Sequence, residues 1–176
     1  MKINNYNFFD HLHNYGMWTA ARAVQRGFTT TKNIAVVVEK SGLRGLLDNK
    51  DNWTSATFDE FQRKTAHAII DGFESLGIRC SYGQASKIIA IYIKTTFVIR
   101  EKEPLKRIAH PPVDGILLAG LHKDFPHLKL GIIKWTRMGE REYWETINKL
   151  RTLEADEFWK IEHYWHPSRE PSQVGL

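Results

Sequence analysis

Two lysines, Lys87 and Lys94, interrupt an otherwise greasy run, SYGQASKIIAIYIKTTFVIRE, and are the side chains most in need of a chemical account. An ammonium taken out of water must be paired or neutralised, because burial penalises the charged form. For Lys94 the simpler reading is snorkelling, with the butyl stem on apolar surface and the head in water. Lys87 stands apart because it follows Tyr82-Gly83-Gln84-Ala85-Ser86, at the start of the run. A lysine near a helix N-terminus carries the wrong charge for the local dipole. That position favours the neutral amine, which is the nucleophilic form. Asp114 lies 27 positions on, in His110-Pro111-Pro112-Val113-Asp114, immediately before Gly-Ile-Leu-Leu. Taken alone it reads as an N-cap.

The elements that must position this pair are helices. Apolar positions at Phe9, Leu12, Met17, Ala20, Ala21 and Val24 predict a first helix from Phe8 to Arg26. A second opens on three threonines and stops at Gly42, and a short one is expected over Leu43 to Leu47. Capping residues at Thr54 and Ser55 start a long helix that ends at Gly77. The greasy run has strand-like composition but too great a length for a strand. From about Gln84 to Arg100 it is therefore expected to be a central, buried helix. Leu128 to Trp135 reads as a short extended stretch, and the segments from Met138 to Leu153 and from Glu154 to Pro167 as two closing helices. The expected fold class is all-α, with one compact multi-helix domain over residues 1–166 and a flexible tail over 167–176.

Composition narrows the function classes. The chain has 176 residues, 42% hydrophobic and 26% charged, which is globular and not disordered composition. A net charge of +5 with six tryptophans suits a polyanionic partner and base stacking. The single cysteine, Cys80, excludes an internal disulfide and any four-cysteine metal site. No apolar leader or stretch of 18 apolar residues is present, so the expected location is the cytoplasm, with nucleoid association through DNA and no membrane partner. His110, His122 and His127, with Asp114 and Asp124 nearby, match no tight ligand spacing, and no metal or other cofactor is expected.

A buried helix that begins with a lysine, followed by a loop and Pro-Val-Asp at the head of another apolar helix, resembles the helix-hairpin-helix DNA glycosylases. Within them it is most similar to the 8-oxoguanine type, including its divergent archaeal branch. The resemblance covers about residues 76 to 121. The family's Leu-Pro-Gly-x-Gly hairpin is replaced here by Leu76-Gly77-Ile78-Arg79-Cys80-Ser81-Tyr82-Gly83, which keeps glycines and lacks the proline. The chain is also shorter than family members usually are.

The resemblance implies a monomeric, cofactor-free enzyme that flips a damaged or modified base out of DNA and excises it. Lys87 would attack the anomeric carbon, and Asp114 would stabilise the oxocarbenium-like sugar. A Schiff base with strand-nicking β-elimination, or activation of water alone, are both open. Candidates for the base pocket are Gln84, Trp18, Trp159 and Trp165. Candidates for DNA contact are Arg79, Tyr82, Gly83, Lys106, Arg107, His110 and Lys123, with Lys129 beside them. Two other readings stand next to this one. One is a non-catalytic helical nucleic-acid-binding or regulatory module with Lys87 and Asp114 as a buried ion pair. The other is a glycosylase acting on modified bases of phage DNA.

Overall fold

A computed structural model describes residues 6–48 and 53–167. The tail expected to be flexible falls, from residue 168 on, outside the described residues. The described chain is all helical, in the order α1 (Phe8–Val24), α2 (Thr31–Lys40), α3 (Gly45–Asp48), α4 (Ser55–Glu74), α5 (Tyr82–Ile93), α6 (Leu105–Ile108), α7 (Gly115–Asp124) and α8 (Glu140–Arg151). Side-chain caps set the starts, with Asn7, Thr30, Thr54, Ser81 and Asp114 each accepting from the first turn of the helix that follows. No described helix is long and apolar enough to cross a membrane.

α5 is the axle. Nearly every side chain on it is buried, and α1 and α4 pack along its length while α8 closes against it. Ile88, Ile89, Tyr92 and Ile93 of α5 join Ala20 and Val24 of α1, Ile69 and Phe73 of α4, Leu117 and Leu121 of α7, and Ile147 of α8 in one core. α5 ends sooner than its apolar content suggested. From Lys94 to Val98 it widens into a π-helical turn, where the hydroxyls of Thr95 and Thr96 donate back to the carbonyls of Ile91 and Tyr92. Such turns frequently mark functional sites.

Two further expectations are corrected. The stretch expected to be extended forms 3-10 turns at Leu130–Ile132 and Trp135–Arg137. The last expected helix is a 3-10 strap, Phe158–Tyr164, which carries only Phe158 and Ile161 into the core and so lacks a full helical apolar stripe.

The turn between α4 and α5 closes through Gly77, whose φ of 69° is open to glycine, and through the Ile78 N–H bonded to the Phe73 carbonyl. Gly83, in the first turn of α5, answers a different demand. A Cβ there would lie 2.1 Å from the backbone oxygen of Trp135, and the Gly83 N–H donates to the Met138 carbonyl at 3.0 Å. The 3-10 turn at Trp135 is thereby seated directly on the start of α5. Gly83→Ala is expected to lower the chemical-denaturation midpoint by the equivalent of about 1–3 kcal/mol, the usual cost of overpacking. An unchanged midpoint would show that this seat is loose.

Candidate functional site

The two residues that the sequence singles out meet. Lys87, in the second turn of α5, places Nζ 3.0 Å from Oδ2 of Asp114, and the two side chains are only 9% and 10% exposed. Asp114 is at the same time the N-cap of α7, with Oδ1 accepting from the N–H groups of Ile116 at 3.0 Å and Leu117 at 2.9 Å. Its Oδ2 also accepts from Trp165 Nε1 at 3.1 Å. Each carboxylate oxygen thus holds two donors, which fixes the group in place.

Two indole rings cover the pair. The face of Trp135 lies 4.5 Å from Lys87 Nζ, a cation–π contact. The Trp135 ring also lies beside Gly115, at ordinary contact distance from where a Cβ would stand, 3.8 Å from Nε1. Trp165 reaches the carboxylate from the end of the strap and remains 37% exposed. The strap is pressed close to α7, where a Cβ on Gly120 would fall 2.1 Å from the Tyr164 carbonyl oxygen.

The second lysine belongs to the same cluster. Lys94, read from sequence as snorkelling, instead pairs with Glu162 of the strap and sits 5.7 Å from the Trp165 ring. Burial holds the Glu162 carboxyl above its ordinary range, against the opposing hydrogen bond and charge of Lys94 and with added repulsion from Asp114. Lys94, Val98, Lys106, Trp159 and Glu162 line a groove of about 290 Å³ next to the pair.

What holds Asp114 in place is the buried run His110 to Val113. His110 is anchored through Nδ1 to Tyr143 Oη at 2.8 Å and through Nε2 to Asp59 Oδ1 at 3.0 Å. Asp59 in turn receives two hydrogen bonds from Arg151, at 2.8 and 2.6 Å. Burial keeps the His110 imidazole neutral, its basicity pushed below the usual histidine value. For Asp59, burial acts upward, but the bonds from His110 and Arg151 and their charges prevail and bring it from 3.8 to about 2. His110 was a candidate for DNA contact. It is 3% exposed and fully engaged, so that role is withdrawn.

The other candidates divide. Trp165 is at the pair, and Trp159 borders the adjoining groove. Trp18 is 56% exposed on the outer face of α1 and makes no contact with the pair among the described residues, so it is not part of this site. The Gln84 side chain is consumed in a capping box, accepting from the Ser81 N–H at 2.9 Å. Tyr82 is buried at 4% exposure and cannot meet a phosphate. The Gly83 amide is already bonded to Met138 and offers no donor. Arg79 and Lys123 are exposed and make no ion pair among the described residues, while Arg107 pairs with Glu103 and Lys106 lies 3.9 Å from Glu101. Lys129 is exposed in a left-handed turn, at φ 54°. Sequence reasoning missed Trp135, Glu162 and the part played by Lys94. Only Gly83, in the first turn of α5, hinted that another segment is seated closely there.

Chemically, the cluster is a fixed carboxylate with a lysine amine against it and aromatic faces above. It can stabilise a developing positive charge, and it can shuttle a proton between Nζ and Oδ2. Among the described residues, no three His, Cys, Asp or Glu side chains gather to hold a metal ion.

Asp114→Ala removes the α7 cap and strands the Lys87 ammonium, so a loss of about 3–5 kcal/mol in unfolding free energy is expected. Asp114→Asn, which keeps the cap, should lose clearly less, and equal losses would contradict the dual role. The Asp59 clamp predicts acid lability. His110 is held neutral in the fold and charges in the unfolded chain, so stability falls as pH drops below its ordinary 6.5. The lowered Asp59 carboxyl adds stability that is full above 3.8 and disappears as pH falls toward about 2. Wild type should therefore exceed Asp59→Asn by on the order of 1–2 kcal/mol at neutral pH, converging at the acid end. A gap independent of pH in denaturant titrations would refute this.

No family model, no curated protein and no solved structure matches the chain.

Proposed function

We propose that the protein is a DNA base-excision enzyme in which Lys87 and Asp114 act on the sugar of an everted nucleotide. The observation that carries this reading is the buried 3.0 Å contact between Lys87 Nζ and Asp114 Oδ2, covered by indole rings rather than aliphatic packing. A buried ion pair is poor stabilisation by itself, and apolar side chains of like volume would serve as well or better. An amine and a carboxylate in contact, at the heads of two helices, are what attack on an anomeric carbon requires.

The nucleotide reaches the pair by displacing Trp165, the most exposed part of the cover. Asp114 Oδ2 accepts a proton from Nζ, and the neutral amine attacks the anomeric carbon. A C–N bond to Lys87 forms as the glycosidic C–N bond breaks, and the electron pair leaves with the base, which takes up a proton. The proton the base takes up is the one Asp114 accepted, so the restored carboxylate faces the positive charge that develops on the sugar. Loss of one such electrostatic stabiliser costs about 10²–10³ in rate. Expulsion of the ring oxygen then leaves the Schiff base. An 8-oxoguanine lesion is the default substrate by resemblance, with hypermodified bases such as those of phage DNA as the other class.

Borohydride reduction in the presence of duplex DNA bearing 8-oxoguanine or an abasic site is expected to trap a covalent adduct. Lys87→Gln should abolish the adduct, and Asp114→Asn should slow its formation by about a hundredfold or more. Release of free base without an adduct would assign the attack to water held by Asp114. Neither adduct nor free base from ordinary or hypermodified DNA, with folded protein, would sink the enzymatic reading and leave a structural ion pair.

A further inference from the structure

A second feature lies on the outside of α1. Phe8, His11, Tyr15, Trp18 and Arg22 recur at intervals of three and four, so they form one stripe along the helix. The stripe faces away from the core, with Phe8 59%, Tyr15 54% and Trp18 56% exposed. Tyr15 and Trp18 stack on one another, centroids 6.0 Å apart and planes within 23° of parallel, which makes one aromatic platform that a further flat ring can extend. Arg100 lies 5.2 Å from the Phe8 ring at one end, and Arg22 and Arg26 are exposed at the other. The one acid of α1, Asp10, is taken up by Arg44. Among the described residues no acid pairs with Arg22, Arg26 or Arg100, so the stripe sets exposed rings beside positive charge.

We propose that this stripe binds single-stranded nucleic acid, with bases stacked on Tyr15 and Trp18 and phosphates neutralised by Arg22, Arg26 and Arg100. At 1.5 Å per residue, the span from Phe8 to Arg22 is about 21 Å, room for about six stacked nucleotides at ~3.4 Å each. A second copy of the chain fits less well. One helix face of this length, about 10 Å wide, offers roughly 200 Å² per partner, where a stable dimer buries about 800 Å². Two copies would also bring like charges together. A strand with a phosphate at every step and a flat base beside it supplies both missing complements. Among the described residues, no hydrogen bond, ion pair or ring contact joins the stripe to Lys87 or Asp114, so this inference stands apart from the excision reading.

The test is fluorescence anisotropy of a labelled single-stranded oligothymidylate titrated with the full chain over a range of salt. Wild type should bind, with affinity falling as salt rises. Trp18→Ala and Tyr15→Ala should each weaken binding by about fivefold or more, the low end for one base–aromatic stack. Both sites are exposed, so thermal unfolding should be unchanged. The double variant Arg22→Gln with Arg26→Gln should lower the slope of log affinity against log salt by about 1.4, at ~0.7 per phosphate contact. Absent binding, binding that survives loss of both rings, or a dimer in sedimentation that Trp18→Ala dissolves would overturn the proposal. Lys87→Gln should leave oligothymidylate binding intact, so failure of borohydride trapping and failure of this platform are read separately.

Discussion

The fold is organised around the need to satisfy one buried cation. Lys87 lies on the helix that every long neighbour packs against, and an ammonium there is tolerable only with an anion at contact distance. That requirement fixes where α7 must begin, because the anion is the residue that caps it. Asp114 cannot shift to improve one bond without loosening the other, since Oδ1 holds two backbone amides while Oδ2 holds the lysine and an indole. The cap and the ion pair therefore enforce one another. Gly83 follows from the same constraint, since a Cβ at that position in the first turn of α5 would clash with the backbone of the Trp135 turn.

Those parts of the site that rest on local chemistry were legible in the sequence. A carboxylate after two prolines and before an apolar run reads as a cap, and it is one. A lysine at the head of a greasy helix demands an explanation, and it has one in Asp114. The all-helical architecture followed from periodicity and capping residues in the same way. What was hidden depends on partners remote in the chain. His110 is polar and follows a charged loop, yet it is buried because Asp59, 51 positions earlier, and Tyr143, 33 later, accept its placement. Lys94 looked free because Glu162 is 68 positions away. Trp135 and the strap were misread for another reason. Short 3-10 turns have no amphipathic period, so composition alone suggested strand for one and helix for the other.

The strap links the Lys87–Asp114 pair at the heads of α5 and α7 to Lys94 of the π-helical turn. Trp165 touches Asp114 at one side and lies near Lys94 at the other, while Glu162 binds Lys94 and feels the charge of Asp114. Charges alternate through this cluster, with two ammonium groups set against two carboxylates. Lifting the strap would remove the Trp165 donor from Asp114 and the anion from Lys94 together. The strap therefore ties cover of the inner pair to the pairing of the outer one.

That local neutrality has a consequence for how the chain meets a polyanion. A cluster of two positive and two negative groups has little field beyond its own borders, and at physiological ionic strength what remains is screened within about 8 Å. Long-range attraction to the polyanion proposed as partner would come instead from charges that pair with no acid among the described residues. These include Arg79 and Lys123 among the exposed groups without an ion pair, and the arginines that flank the aromatic stripe of α1. On that proposal, affinity and chemistry would be carried by separate parts of the surface. Under the excision proposal, the net +5 would act as an undirected, salt-sensitive capture term, and selectivity would fall to the covered pair beneath the two indole rings.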